Sequence, residues 1–371
     1  MLSVCTIMKN EEKRLPAYLD NVRQYADEII LIDNGSTDSS KEIALTYGCR
    51  VIENDKNNFD LGRNLYIENA KEEWIFSLDL DEFMYLNDAI SLKAFLKSKN
   101  NNKYKGYYLP SLQYYGKGKW ATFYLCRLYK NEKYYSYSKN IHGSVGSSII
   151  RHGGDIGFIN VPIHHFDALL SCDRNFNKRK RNIHLLSKKK DVNSMNFLAI
   201  EYASLGDTNK AISLIKKALL KDEKSKTPAY LFYAQLDFLL GNYQHAIEMA
   251  KIQIEICREN MVNLKSKFYL YYNMIDSCYI VIENSFHAMN QDDNAEEIIL
   301  EQIKSGYHLP HNYLNLYLLK QDKYQRYLDK AINLNPMLRN PQIYISASGP
   351  TIYEMQTSIL TGFEFDYSNT K

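Results

Sequence analysis

The 371-residue sequence predicts two halves of different class: an α/β domain on a mostly parallel, mixed sheet over residues 1–172, then an all-α helical repeat region over residues 173–371. Three observations lead there. Up to about residue 170, short apolar runs alternate with polar helical stretches; three of those runs end in polar clusters; and beyond Asp173 a Leu-Gly, Ala-Ile pattern recurs at a spacing of 35 residues.

Taken in order, "LSVCTI", "EEKRLPAYLDNVRQYA", "EIILID", "STDSSKEIALTYG" and "RVIE" read as strand, helix, strand, helix, strand. A helix from about Asp60 to Lys71, the strand "WIFSLD" and a helix from about Asp88 to Lys97 follow. The aromatic, β-prone runs "KYKGYYLPSLQYY", "ATFYLCRLYKN" and "SVGSSIIR" predict further strands. Open α/β sheets bind ligands at the carboxyl ends of their strands. "MKNEE" after Ile7, "DNGSTD" after Ile32 and "DLDE" after Leu78 are therefore expected to converge on one edge.

In the second half, "LGDTNKAISLIKKAL" begins at Leu205 and "LGNYQHAIEMAKIQI" begins at Leu240. A period near ~34 residues with this pattern is the tetratricopeptide signature, in which neighbouring helix pairs bury faces that neither can bury alone. "KYQRYLDKAINLNP", ending at Pro336, reads as a further, degenerate repeat. The run Lys178 to Arg181 marks the junction helix and, with Lys188 to Lys190, reads as a solvated basic face. Stacked repeats present concave surfaces, suited to a peptide or to a second copy of the chain as a homodimer.

A formal net charge of +3 gives no ground for wholesale nucleic-acid binding, and 45% hydrophobic with 24% charged residues is an ordinary globular composition. The six cysteines are scattered without a C-x-x-C pair, which predicts reduced thiols in the cytoplasm. The opening "MLSVCTIMKNEE" lacks the basic start and long apolar centre of a signal peptide, and no apolar run reaches the ~20 residues that span a bilayer. The 31 tyrosines read as half-buried packing.

The chemistry is expected at "WIFSLDLDEF", where Asp79, Asp81 and Glu82 crowd the end of an apolar strand. Like charges so close repel, so a cation or a cationic partner is implied. A D-x-D pair offers hard oxygen ligands of the kind that suit Mg²⁺ or Mn²⁺. Asp33, ending the second strand, is placed to accept hydrogen bonds from a base or ribose. "NGSTD" after it supplies a turn and a helix N-cap at Ser36 or Thr37.

Together "SVCTIMKNEEKRL", "EIILIDNGSTDSS", "NNFDLGRN" and "WIFSLDLDEF" resemble, in consistent order over most of residues 1–170, the family 2 glycosyltransferases of the GT-A fold. With helical repeats following, the arrangement resembles the peptide glycosyltransferases of glycosylated bacteriocins. The resemblance implies a UDP-sugar donor, a hexose transferred with inversion to Ser/Thr or Cys of a peptide, and a divalent cation. It implies that Met8, Asn10, Glu11, Arg63 and Leu80 lie near the nucleotide and that Asp33 binds uracil or ribose. It places Asp79 at the ribose or the metal and Asp81 on the metal. "NIHGS" matches a later histidine segment at His142, and "IHHFD" ahead of "KRKRN" matches a second, where counting back from Asn182 favours His165 over His164 as a metal ligand.

Relatives carry Glu after the first of these histidines; this chain has Gly143. The general base is then His142, Asp167 or another carboxylate, unless the acceptor needs little help, as a cysteine thiol with a pKa near ~8.5 would. A cell-wall or surface glycan is the alternative acceptor. A repeat scaffold with a decayed transferase domain is the alternative of another class.

Overall fold

The computed structural model of the protein describes residues 1–54, 59–116, 119–137, 144–166, 172–222, 228–263 and 268–339. The chain divides into two compact units: Met1–Leu112 with Phe123–His165, and Gln113–Thr122 with the chain from Phe166 onward.

In the first unit the elements run β1 (Leu2–Met8), α1 (Leu15–Val22), β2 (Glu28–Asp33), α2 (Ser40–Thr46), β3 (Arg50–Glu53), α3 (Phe59–Asn69), β4 (Trp74–Ser77), β5 (Glu82–Phe83) and α4 (Leu86–Lys97). Then come β6 (Gly106–Gly116), β7 (Lys119–Lys130), α5 (Gly146–Arg151), β8 (Ile156–Phe158) and β9 (Ile163–His165), with the tip of the β6–β7 hairpin counted in the second unit. The strands form one mixed sheet in the order β3-β2-β1-β4-β7-β6-β9-β5, with β8 beside β6. Strands β3, β2, β1 and β4 are parallel, while β7 runs antiparallel to β4. The chain order reverses at β1, so the gap between β1 and β4 is a topological switch point.

Strand residues alternate between two cores, as the pleat requires. Leu2, Val4, Met8, Trp74 and Phe76 join α1, α2 and α4 on one face; Cys5, Ile30, Ile32 and Ile75 join α3 and α5 on the other. Helix α3 lies close to the sheet because Gly62 has no side chain: a Cβ there would stand 3.1 Å from Ile7 Cδ1 and 3.3 Å from Asn54 Nδ2. Pro16 in the first turn lets α1 begin only at Leu15, later than the acidic run before it suggests.

Two local expectations are corrected. "SVGSSIIR" is not a strand but helix α5, because Val145 and Ile149, four apart, bury one helical face, and Gly146 fits against Ile156 and Tyr108. Ser36 and Thr37 do not cap α2, which begins at Ser40; both are taken up by the loop in front of it.

The second unit continues with α6 (Cys172–Leu186), α7 (Val192–Ser204), α8 (Thr208–Lys221), α9 (Ala229–Leu239), α10 (Tyr243–Asn263), α11 (Phe268–Ala288), α12 (Asp292–Lys304), α13 (Pro310–Leu319) and α14 (Gln321–Leu334). From α7 onward the helices pack as sequential neighbours, as the repeat expectation holds. The turns before α8 and α10 use Gly206 (φ +85°) and Gly241 (φ +79°); before α12, Asn290 takes the same left-handed conformation (φ 58°). Ala211, Ala246 and Ala295, each the fourth residue of its helix, are all fully buried at the matching point of α8, α10 and α12. "MNQDDNAEE" is thus a further repeat turn that the sequence pattern missed, its period stretched by the 21-residue helices α10 and α11. Arg179, expected on a solvated basic face, instead turns inward and pairs with Glu201, which also accepts from Asn182 at 2.8 Å.

Helix α11 is buried along most of its length and carries Asp276 and Glu283 inward. His311 Nε2 of α13 lies 3.2 Å from Asp276, and Asn315 Nδ2 donates to Glu283 at 2.9 Å. Among the described residues no helix is long and apolar enough to cross a membrane, and five cysteines are free and buried.

Burial, reinforced by Asp276, drives the Glu283 carboxyl well above its usual range despite the Asn315 hydrogen bond. Folded Glu283 therefore keeps its proton while the unfolded chain releases it above about pH 4.3. Stability is lost as pH rises from there toward the folded pKa. Glu283→Gln, which keeps the acceptor for Asn315, is expected to raise the melting temperature at pH 7.5 and to give no gain at pH 4.5, as read in paired thermal melts. Gly62→Val forces branches into Ile7 and should destabilise by roughly 1–3 kcal/mol in urea unfolding.

Candidate active site

The loops after β1 and β2 are stitched together by hydrogen bonds. The β1–β2 register sets Met8 level with Asp33. Asn10, in the left-handed region at φ 55°, donates its backbone N–H to Ser36 Oγ (3.0 Å) and accepts at Oδ1 from the Thr37 N–H (2.7 Å). Glu11 N–H donates to Ser40 Oγ (2.7 Å) and Glu12 N–H to Asp38 (3.2 Å). Asp33 is buried, and its Oδ1 accepts from both the N–H (3.0 Å) and the hydroxyl (2.6 Å) of Ser36. Beside it, Asn54 Nδ2 donates to the buried Asn34 at 2.7 Å.

These contacts sort the expected nucleotide residues. Met8 has its side chain in the core and its carbonyl bonded to Asn34 N–H (2.9 Å), so it shapes the strand end without presenting a side chain. Glu11 forms an ion pair with Arg14. Leu80 packs partly buried against the first core. Asn10 and Asp33 lie together at the strand ends, joined through Ser36.

The acidic cluster after β4 is resolved by three different cations. Arg127 of β7 places Nη2 2.8 Å from Asp79 and 2.6 Å from Glu82. The Glu82 side chain is fully buried; its Oε2 accepts from Asp79 N–H (2.8 Å), and Glu82 N–H returns a bond to the Asp79 carbonyl (3.0 Å). His165 of β9 sets Nε2 3.3 Å from Asp81 Oδ1, because the β5–β9 ladder pairs Glu82 with His165. Arg63 of α3 adds a positive charge toward Asp79 and lies 5.4 Å over the Tyr137 ring. Its neighbour Asn64 fixes that tyrosine by exchanging hydrogen bonds with the Tyr137 backbone at 2.7 and 3.1 Å.

Ionisation follows this arrangement. Burial would raise the Asp79 carboxyl, but Arg127, then Arg63 and His165, pull it far below the usual range. Asp81 is likewise penalised by burial and lowered by the His165 hydrogen bond. Burial pushes Glu82 upward; Arg127 opposes this and Asp79 adds to it. The His165 imidazole, which burial alone would lower, is pushed up to about 9 by Asp81 and by the charges of Glu82 and Asp79. Its neighbour His164 points into the core against Tyr85 (4.9 Å between ring centres), and burial lowers it to about 3. The ladder thus brings His165, and not His164, to the acidic turn.

For a divalent cation, the donor set here is Asp81 Oδ1 with His165 Nε2, while Asp79 is engaged by Arg127. Among the described residues no group of three or more His, Cys, Asp or Glu side chains could hold a metal alone. Asp81 offers one hard oxygen of the kind that suits Mg²⁺ or Mn²⁺, and His165 could add its nitrogen only after giving up its proton. His142 and Asp167, the expected bases, lie outside the described residues. Arg127 was not foreseen; the one signal for it is a guanidinium between apolar residues in "YLCRLY".

Residues 3–152 match the model of Glycosyl transferase family 2. An uncharacterised glycosyltransferase of Rickettsia typhi is 30% identical over 164 residues, 43% of this chain and 55% of that protein. The chain thus spans about half the length of that curated relative. The SPbeta prophage-derived glycosyltransferase SunS of Bacillus subtilis is 38% identical over 78 residues, 20% of this chain and 18% of that protein. Among solved structures, glucosyl-3-phosphoglycerate synthase of Mycobacterium tuberculosis, crystallised with Mn²⁺, uridine diphosphate and glucosyl-3-phosphoglycerate, aligns with a TM-score of 0.37 at 16% identity, covering 50% of this chain and 79% of that one. Residues 3–152 of this chain belong to glycosyl transferase family 2.

Proposed function

We propose that this chain transfers a hexose from a UDP-sugar, with inversion, to Ser/Thr or Cys of a peptide in the cytoplasm, in a metal-dependent reaction. The observation that carries the reading is the pairing of Asp81 with His165 beside an arginine-braced Asp79, at the carboxyl end of β4 and next to the switch point. Membership of residues 3–152 in the glycosyltransferase family supports sugar transfer.

Asp81 and His165 would hold Mg²⁺ or Mn²⁺. When bound, such an ion supplies Lewis-acid stabilisation to the negative charge of a departing diphosphate. The chain's own residues do the rest. Asp33 and Asn10, fixed by Ser36, would take the nucleoside, and Arg63 adds its charge to Asp79 of the acidic turn. Asp79, half exposed and firmly ionised, is suited to accept from ribose hydroxyls. His142 or Asp167 remains the proposed base, and a thiol acceptor would ask least of it.

The peptide acceptor rests on the bacteriocin-enzyme resemblance of the motifs and on the helical repeats, which offer surface for a peptide or for a second copy of the chain. Free, buried cysteines suit a reducing compartment.

Purified protein given UDP-glucose, Mn²⁺ and Ser- or Cys-containing peptides should release UDP and gain peptide mass. Asp81→Asn should lower kcat by about 10²-fold or more. Absence of both transfer and Mn²⁺-dependent UDP binding in the wild type would overturn the proposal, and transfer only to a glycan would move it to the surface-glycan acceptor.

A further inference from the structure

Three carboxylates lie within four positions of the turn after β4, and each has a different fate. Asp81 meets His165, Asp79 is half exposed, and Glu82 has no exposed side-chain surface at all. Glu82 therefore does not reach a ligand. It closes the turn, taking the Asp79 N–H and giving its own N–H to the Asp79 carbonyl. That closure sets the buried carboxylate beside Asp79, where burying a charge without a counter-charge is costly.

The counter-charge is Arg127. The β4–β7 register pairs Phe76 with Leu128, which sets Arg127 level with the last residue of β4, two before Asp79. Its Nη2 reaches Asp79 and Glu82 together, and its side chain is only 14% exposed, so the ion pairs are poorly screened.

We infer that Arg127 is a positioning residue: by neutralising Asp79 and Glu82 jointly it holds the turn in the one shape that leaves Asp81 beside His165. Without it the two carboxylates that share its Nη2 face each other with no bridge between them, and the turn opens. This rests on the reading of the turn as the donor site. It assigns Asp79 to a fixed, arginine-held role instead of the metal role that the D-x-D spacing also allowed.

The test is a charge-balance cycle with Arg127→Met, Arg127→Lys, Glu82→Gln and the Arg127→Met/Glu82→Gln double variant, in the full chain. Affinity for UDP with Mn²⁺ is read by calorimetry, after near-UV circular dichroism confirms native packing. Arg127→Met should weaken Mn²⁺-dependent UDP binding by about 10–100-fold. The double variant should recover much of that loss, because removing the Glu82 charge removes the surplus that Arg127 neutralises. Arg127→Lys should fall between wild type and Arg127→Met.

Wild-type binding by Arg127→Met overturns the inference. So does a double variant no better than Arg127→Met, the result expected if Arg127 touched the diphosphate itself. If Arg127→Met does not fold, Arg127→Gln alone and combined with Glu82→Gln gives the same comparison. If the wild type binds no UDP, the donor reading fails instead. The pairing of Arg127 with Glu82 is then judged by whether the double variant melts higher than Arg127→Met; failure to do so overturns it too.

Discussion

The parallel pairing of β1 with β2 on one side and β4 on the other is the constraint on which the rest of the site depends. It sets Met8 level with Asp33 and Cys5 level with Ser77, so three loops leave the sheet at one edge. A slip of one residue would turn every strand side chain to the opposite face. The two cores forbid that, since Leu2 and Val4 would trade places with Ser3 and Cys5. Apolar burial thus fixes where the polar groups stand. Beyond the ladder the loops have no strand partners, and their backbone N–H groups are satisfied by Ser36, Ser40 and Asp38 across the gap.

Electrostatics then decides which of those polar groups stays available. Two like charges about 4 Å apart near a protein surface repel by roughly 4 kcal/mol, so the crowded turn after β4 survives only with counter-charges. They come from α3, β7 and β9, elements remote from the turn in sequence. Each cation acts differently. Arg127 is shared by two acids, Arg63 acts on Asp79 through space, and His165 carries a proton that Asp81 holds in place. The result is an acidic turn with one carboxylate buried, one braced by arginine and one paired to a histidine.

The sheet and the position of the site were legible in the sequence because hydrophobic period and strand-end chemistry are local signals. The run Trp74 to Ser77 and the three acids after it are contiguous, so the cluster could be seen before its partners. Arg127 could not be assigned, because its meaning comes from the antiparallel register of β7 on β4, a long-range pairing with no sequence period of its own. Helix α5 was misread since Val145 and Ile149 fit either period over so short a run. In the helical half the Leu-Gly turns stood out, whereas Asn290 performs the same backbone task without the glycine that the pattern requires.

The β6–β7 hairpin gives the register of β7 a second guard. At its tip, within the helical unit, Tyr114 donates its hydroxyl to Asn335 (2.9 Å) and stacks on Phe166 (5.2 Å between centres), and Trp120 meets the edge of His311 at 6.1 Å. At its base the same strand carries Arg127 to Asp79 and Glu82. Trp120 and Arg127 lie seven residues apart, an odd spacing that puts them on opposite faces of one strand. Sliding β7 by one residue would invert both at once, taking Trp120 off His311 and the guanidinium off its two acids. The aromatic tip and the cationic base each favour the same register, one within the helical unit and one within the sheet unit.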